Sequence, residues 1–218
     1  MTPGMRGGIF SGMKSCPSAD EVVDDLGSKV VDGIARAVRD AKTALATYRQ
    51  VLPAYALQQS ERGLANWVHD QLWFYLNLHL GDVPEVSFID QEPHREIFVG
   101  TRYRFRVKRH SSLGRVRSYP TQTVLNFYED GPVQRALEGL EEVCLTMGYA
   151  WDREMRDLGP AVMTLPKNTK EPEWVYEFPA PTAASGTVVT PVPPRIEPPK
   201  PSVEVESDDD ATESGNES

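Results

Sequence analysis

The chain has 218 residues, of which 39% are hydrophobic and 25% charged, and its formal net charge is −9. Two cysteines, Cys16 and Cys144, are too few for a disulfide framework. Because the chain has neither a run of 18 uncharged apolar residues nor the apolar segment of a signal peptide, we expect a cytoplasmic protein with no membrane span.

Composition divides the chain into three parts. Residues 1–17 hold four glycines and show no hydrophobic period, which predicts a disordered N-terminus. Residues 180–218 combine seven prolines with a net charge of −6, a composition typical of a disordered acidic tail. The rest of the chain therefore carries −3, and residues 18–179 are predicted to form a single α+β domain.

The domain begins with a predicted helix. Ser18 and Glu21 match the capping-box pattern, and apolar residues recur at spacings of three or four over residues 22–52. Two glycines inside this pattern, the first at Gly27, predict a break or a frayed first third, and Pro53 ends the helix. The heptad-like spacing makes a homodimer through the first helix a further prediction.

A second helix is predicted from Ser60 to Leu80, with Gly81 and Pro84 as stop signals. Its apolar residues cover more than one face, so we expect it to be the most buried element. The short linker around Pro53 predicts that the two helices pack as an antiparallel hairpin.

Beyond Pro84 the apolar period changes from near 3.6 to 2, which predicts strands. Strands are expected at residues 86–89, 97–109 (interrupted at Gly100), 115–119, 141–147, 158–165 and 173–178, with a short helical segment at 122–128. Two helices followed by mostly antiparallel strands are the order of an α+β fold, here a helical hairpin packed on a mostly antiparallel sheet.

The predicted strand over residues 102–109 is unusually cationic. Successive side chains of a strand point to opposite faces, so the apolar side chains of Tyr103, Phe105 and Val107 are expected to pack on the helices. The opposite face then displays four basic side chains: Arg102, Arg104, Arg106 and Lys108.

This basic face has three alternative interpretations. It is compensated by acids of neighbouring strands, it binds the phosphates of nucleic acid, or it binds an acidic partner protein or the chain's own Asp208–Asp210 segment. The compensating acids would be Glu141, Glu142, Glu173 and Glu177. The binding residues would be Arg102, Arg104, Arg106, Lys108, Arg109, Arg115, Arg117 and Tyr119, the tyrosine stacking on bases.

No sequence motif indicates a metal, a cofactor or a covalent intermediate. The four histidines lack metal-ligand spacing, and the glycines form no phosphate-binding loop, so we expect neither metal nor cofactor. A nuclease-like site would have to use Asp90, Glu92, Glu96 and Lys108. These residues do not form the Asp/Glu-x-Lys pattern on a strand, and the two glutamates are expected at a turn, so no catalytic residues are predicted.

Several segments together resemble a known family. They are Arg102–His110, Arg117–Thr123, Leu140–Val143, Met147–Asp152 and Trp174–Pro179. Over residues 55–180 the chain is similar to a family of actinobacterial and actinophage proteins of unassigned activity, which often accompany metallopeptidases of the ImmA/IrrE type. The resemblance implies a regulatory or antitoxin-like role with a metallopeptidase or toxin as partner, and it assigns no functional residue.

The sequence therefore favours a non-enzymatic regulatory or interaction protein, antitoxin-like or accessory to a repressor. Its basic sheet face is predicted to contact nucleic acid or an acidic partner protein. The alternative is a nucleic-acid-processing enzyme with an atypical, nuclease-like site.

Overall fold

The computed structural model describes residues 16–91, 94–116, 133–137, 140–168 and 171–181. Within these ranges three helices are followed by seven strands, which confirms the α+β class. Four predictions lie wholly or largely outside the described residues: the disordered N-terminus, the acidic tail, the helical segment at 122–128 and the strand positions 117–119.

The helical layer is a hairpin of two long helices, α1 (Ala19–Val51) and α3 (Glu61–Leu80). A short helix, α2 (Pro53–Gln58), joins them; the sequence pattern predicted only a linker there. Asp40 of α1 contacts His79 near the end of α3, with 2.7 Å between Oδ2 and Nε2. Tyr48, later in α1, stacks on the earlier Trp67. The two helices are therefore antiparallel, as predicted.

The start and the break of α1 follow from its sequence. Ser18 Oγ accepts a hydrogen bond from the Glu21 backbone N–H, and the Glu21 carboxylate accepts one from Ser18 N–H, so the capping box is confirmed. Gly27 interrupts the helix with φ 73°, a conformation that glycine adopts without steric cost. Gly33 stays helical, and a Cβ there would lie 2.3 Å from Leu80 Cδ2, so its missing side chain lets α3 approach closely.

The described strands form one sheet in the order β1-β2-β3-β5-β6-β7, with β4 paired to β5. Their bounds are β1 (Val86–Gln91), β2 (His94–Val99), β3 (Tyr103–His110), β4 (Val133–Leu137), β5 (Leu140–Asp152), β6 (Asp157–Pro166) and β7 (Pro172–Glu177). Every described pairing is antiparallel except that of β3 with β5. Strand β4 was not predicted, and β5 extends five residues beyond its predicted end.

The core lies between the helices and one face of the sheet, where Tyr103, Phe105 and Val107 are buried as predicted. Helix α1 packs against β5, β6 and β7, and α3 packs against β3. The periodic apolar face of α1 is buried there: Val22, Leu26, Val30, Ile34, Val38, Ala41 and Leu45. The chain's own core occupies this face, and the homodimer through the first helix stays a prediction.

Helix α3 is not the most buried element, contrary to the prediction. Its buried residues lie on one side, whereas Phe74 and Leu78 are 45% and 54% exposed. None of the described helices combines the length and the hydrophobicity that crossing a bilayer requires.

Candidate functional site

The predicted row of four cations is not present as an open row, and Arg102 is the first departure from it. This residue lies in the turn before β3, and its guanidinium donates a 2.6 Å hydrogen bond to Asp25 of α1. The Tyr103 hydroxyl donates to the same carboxylate oxygen, and burial raises the pKa of that hydroxyl. Arg102 therefore belongs to the helix side of the sheet, away from Arg104.

Arg104 and Arg106 converge on one carboxylate, that of Glu96. Arg104 donates two hydrogen bonds of 2.8 Å to Glu96 and Arg106 donates a third of 2.8 Å, while Glu142 lies 3.5 Å from Arg104. Glu96 is only 5% exposed. The middle of the basic face is thus occupied by a charge network within the chain.

The principal acid of this network was not among the four predicted ones. Glu142 does take part, but Glu173 contacts Lys167 and Glu177 is exposed. Glu96 was expected at a turn, whereas β2 starts at residue 94 and places Glu96 directly opposite Arg106. The period-2 alternation of the strand predicted from residue 97, if it had been extended three residues toward the N-terminus, would have placed Glu96 in that strand.

Lys108 continues the face of Arg104 and Arg106 and lies opposite Gly148 of β5. Burial and the neighbouring Arg106 lower the pKa of this lysine. A lysine in such a position is a poorer anion-binding group than an exposed one, because desolvation disfavours its charged form.

Two residues of the nuclease-like alternative, Asp90 and Glu96, lie on opposite faces of the sheet. Asp90 faces α3, where it accepts hydrogen bonds from Trp73 Nε1 at 2.9 Å and from Arg95 at 3.0 Å. Glu96 points to the opposite face of the sheet, and Glu92 lies outside the described residues. Within the described ranges, no three His, Cys, Asp or Glu side chains are grouped as metal ligands.

A cleft of about 810 Å³ opens at the C-terminal end of β3. Its walls are the end of β3 with the loop that follows, the β5–β6 hairpin and Glu61 at the start of α3. Three arginines line it: Arg109, Arg115 and Arg153. We call it the arginine–tryptophan cleft, because Trp151 forms part of its wall.

The β5–β6 hairpin is held in place by contacts with the helices. Arg156, at the end of its turn, has φ 53° and donates to Glu61 at 3.0 Å and to the Gln59 carbonyl at 3.2 Å. Its own carbonyl accepts a hydrogen bond from Arg49 of α1. The Asp152 carboxylate accepts two backbone N–H bonds inside the turn. These contacts fix the wall that carries Trp151 and Arg153.

Two buried side chains with ring nitrogens, His110 and Trp151, line the cleft. His110 and Trp151 line the cleft and are 1% and 7% exposed. Trp151 Nε1 has no hydrogen-bond partner among the described residues, whereas the His110 ring interacts with the backbone of Lys108 and Tyr149. His110 Nε2 lies 3.1 Å from Thr146 Oγ1. Burial lowers the pKa of His110 to about 4, so the ring is neutral at pH 7.

The three arginines differ in how firmly they are held. Arg109 stacks over Trp151 at 5.3 Å and lies 3.4 Å from Glu61, so it is fixed in position. Arg115 is exposed and lies 3.7 Å from Glu171. Arg153 is exposed and forms no ion pair with another described residue. Guanidinium groups bind carboxylates and phosphates through paired hydrogen bonds, so this cleft can bind an anionic group.

Of the predicted binding residues, the cleft brings together Arg109 and Arg115, while Arg117 and Tyr119 lie outside the described residues. Sequence reasoning missed three contributors: His110, Trp151 and Arg153. Their signal was weak, because the strand before them was predicted to end at residue 147, which left Trp151 and Arg153 without an assigned place.

Comparison of the chain with protein-family models, with curated proteins and with solved structures gave no match. The resemblance to proteins that accompany ImmA/IrrE-type metallopeptidases therefore stays a prediction.

Proposed function

We propose that the protein is a non-enzymatic interaction protein that binds an acidic segment of a partner protein in the arginine–tryptophan cleft. The observation that carries this proposal is the presence of three arginines, Arg109, Arg115 and Arg153, along one cleft. The regulatory role implied by the sequence resemblance would be exercised through this contact.

An acidic peptide fits the charge of the cleft better than a nucleic acid does. Three acids, Glu61, Asp152 and Glu154, line the cleft together with its three arginines, so the ionised side chains balance. A nucleic acid carries a negative charge at every phosphate and gains affinity from a net cationic surface. A peptide presents one or two carboxylates at chosen points and can keep its other groups clear of the acids.

The basic residues in the middle of β3 also favour a peptide over a nucleic acid as the ligand. Arg104 and Arg106 already share the Glu96 carboxylate, so phosphates would have to displace a buried acid to reach them. The aromatic ring in the cleft is also covered, because Arg109 lies over Trp151. A covered ring cannot serve as a platform on which a base stacks.

Fluorescence anisotropy tests the proposal on the full chain. One probe is a labelled peptide with two aspartates, and its control is the same peptide with asparagines. A labelled thymidine oligonucleotide of about twelve residues is the nucleic-acid probe. We expect saturable binding of the aspartate peptide, with an affinity about tenfold lower in Arg153→Gln, since one charge-assisted contact is lost.

Lys29→Gln is the matched control, because it removes one exposed positive charge from α1, far along the chain from the cleft. This variant should bind like the parent chain. Equal affinity for the aspartate and asparagine peptides would overturn the proposal, and so would tighter, salt-dependent binding of the oligonucleotide.

A further inference from the structure

Glu61 already contacts one of the arginines that a ligand of the arginine–tryptophan cleft would use. It is the first residue of α3, and Ser60 caps this helix by accepting a hydrogen bond from Gly63 N–H at 3.1 Å. From this position Glu61 lines the cleft, and its Oε2 lies 3.4 Å from the guanidinium of Arg109. Glu61 thus gives Arg109 an internal carboxylate partner, of the same chemical kind as an acidic ligand.

The contact with Arg109 is the longer of the two that this carboxylate makes. The other oxygen, Oε1, accepts a hydrogen bond from Arg156 at 3.0 Å. The side chains of Glu61 and Arg109 are 56% and 35% exposed, so water screens their attraction. A long, exposed ion pair of this kind can be exchanged for a contact with another carboxylate at small cost.

Both arginines have further contacts that hold them in position. Arg109 lies over the ring of Trp151 at 5.3 Å, and Trp151 is only 7% exposed. Arg156 also donates a hydrogen bond to the Gln59 carbonyl at 3.2 Å. When the contact between Glu61 and Arg109 is broken, Arg109 therefore stays on Trp151 and Glu61 stays bonded to Arg156.

We propose that Glu61 competes with the ligand, and that binding transfers Arg109 from Glu61 to a carboxylate of the partner's acidic segment. This inference rests on the proposed function, because it concerns the same cleft and the same class of ligand. Arg115 and Arg153 are exposed and bind one carboxylate of the segment, while a second carboxylate replaces Glu61 at Arg109.

This competition makes the cleft selective. A neutral side chain binds a guanidinium more weakly than a carboxylate does, so it cannot replace Glu61 at Arg109. Segments with a single acid gain only the contacts at the exposed arginines. The internal acid thus disfavours weakly acidic partners, and discrimination of this kind needs an unfavourable element as well as an attractive one.

Fluorescence anisotropy with the aspartate peptide and the full chain tests the role of Glu61. Glu61→Gln removes the charge that competes for Arg109 and keeps an oxygen that can accept from Arg156. We expect the peptide to bind this variant about three- to fivefold more tightly than the parent, which corresponds to the release of one exposed ion pair. Circular dichroism should show an intact fold, since the Ser60 cap and the contact between Arg156 and Gln59 remain.

Glu154→Gln is the matched control for charge. Glu154 is an exposed acid of the same cleft and forms no ion pair with another described residue. Its substitution removes one negative charge without releasing an arginine, so the affinity for the peptide should rise by less than about twofold. An equal rise in Glu61→Gln and Glu154→Gln would overturn the inference, because the net charge of the cleft would then explain both.

A double-mutant cycle tests whether the gain in affinity depends on Arg109. In an Arg109→Gln background, Glu61→Gln should leave the affinity for the peptide unchanged, because no contact with Arg109 is left to be released. An equal gain with and without Arg109 would overturn the inference. Binding to the parent with no gain in Glu61→Gln would overturn it and leave the proposed function standing, whereas no binding to either protein would overturn both.

Discussion

The middle and the end of β3 carry the same kind of residue in two different situations. In the middle, Arg104 and Arg106 are held by the buried Glu96 through three hydrogen bonds of 2.8 Å. At the end, Arg109 lies over Trp151 beside a cleft that Arg115 and Arg153 also line. A run of positive charge therefore does not identify a binding surface by itself. The burial of the nearest acid, whose side chain is 7% exposed for Glu96 and 56% for Glu61, determines which arginines are available to a ligand.

This difference separates stability from binding along a single strand. A buried carboxylate that is shared by two guanidinium groups is needed for the fold, since each group would otherwise be desolvated without compensation. Exposed arginines at an open cleft contribute little to stability and keep their hydrogen-bonding capacity for a ligand. Substitutions in the middle of β3 should therefore lower stability and leave binding unchanged. Substitutions at the cleft should weaken binding and change stability little.

The largest expected effect is that of Glu96→Gln. It removes the charge that compensates Arg104 and Arg106, whose side chains are 24% and 11% exposed. Breaking a buried ion pair in this way costs about 3–5 kcal/mol, so we expect the free energy of unfolding to fall by that amount. Urea denaturation followed by tryptophan fluorescence measures it.

Glu61→Gln is the control for Glu96→Gln. Glu61 also contacts two arginines, Arg109 at 3.4 Å and Arg156 at 3.0 Å, but its side chain is 56% exposed. The free energy of unfolding should fall by less than about 1 kcal/mol in Glu61→Gln. Equal losses in the two variants would contradict the distinction between the middle and the end of β3.

A smaller effect should appear as pH dependence at the end of the strand. Burial lowers the pKa of His110 from 6.5 to about 4, so the unfolded chain binds a proton before the folded chain does. Stability from this group is complete above pH 6.5 and falls as the pH is lowered toward 4. The difference between the two pKa values corresponds to a loss of about 3 kcal/mol by pH 4.

The measurement is the free energy of unfolding of the parent chain and of His110→Gln between pH 7 and 4. Burial, and to a smaller extent the charge of Arg95, also lowers the pKa of His69. His69→Gln therefore serves as the control that measures the part of the pH dependence due to this second histidine. The parent should lose more stability on acidification than His110→Gln does. Parallel curves for these two proteins would show that His110 is solvated and not buried beside the cleft.

Local patterns predicted the fold where one period dominates. Ser18, Glu21 and the apolar spacing after them specify α1, and the alternation of Tyr103, Phe105 and Val107 specifies the core face of β3. Strand β4 and the parallel pairing of β3 with β5 were not predictable in this way, because strand partners are chosen by tertiary packing.

The candidate site was predicted less completely than the fold. Alternation placed Arg104 and Arg106 on one face, but the register with β2 decides that Glu96 meets them. The cleft needs the β5–β6 hairpin to return beside the start of α3, which Arg156 secures through contacts with Glu61 and Gln59. Contacts across such sequence distances leave no local pattern, so Arg109 was found for its charge and Trp151 was not found.

The smallest expected effect is that of Arg115→Gln on stability. Arg115 and Glu171 are 56% and 59% exposed and 3.7 Å apart, so water screens their attraction. We expect the free energy of unfolding to change by less than about 0.5 kcal/mol.

Arg106→Gln should lower the free energy of unfolding more, by about 1–3 kcal/mol, because it removes a charge-assisted hydrogen bond to the buried Glu96. In the anisotropy assay we expect weaker binding of the aspartate peptide to Arg115→Gln and unchanged binding to Arg106→Gln. This result would show that the cleft binds the peptide and that the middle of β3 does not. Weaker binding to Arg106→Gln with unchanged binding to Arg115→Gln would place the binding surface in the middle of β3.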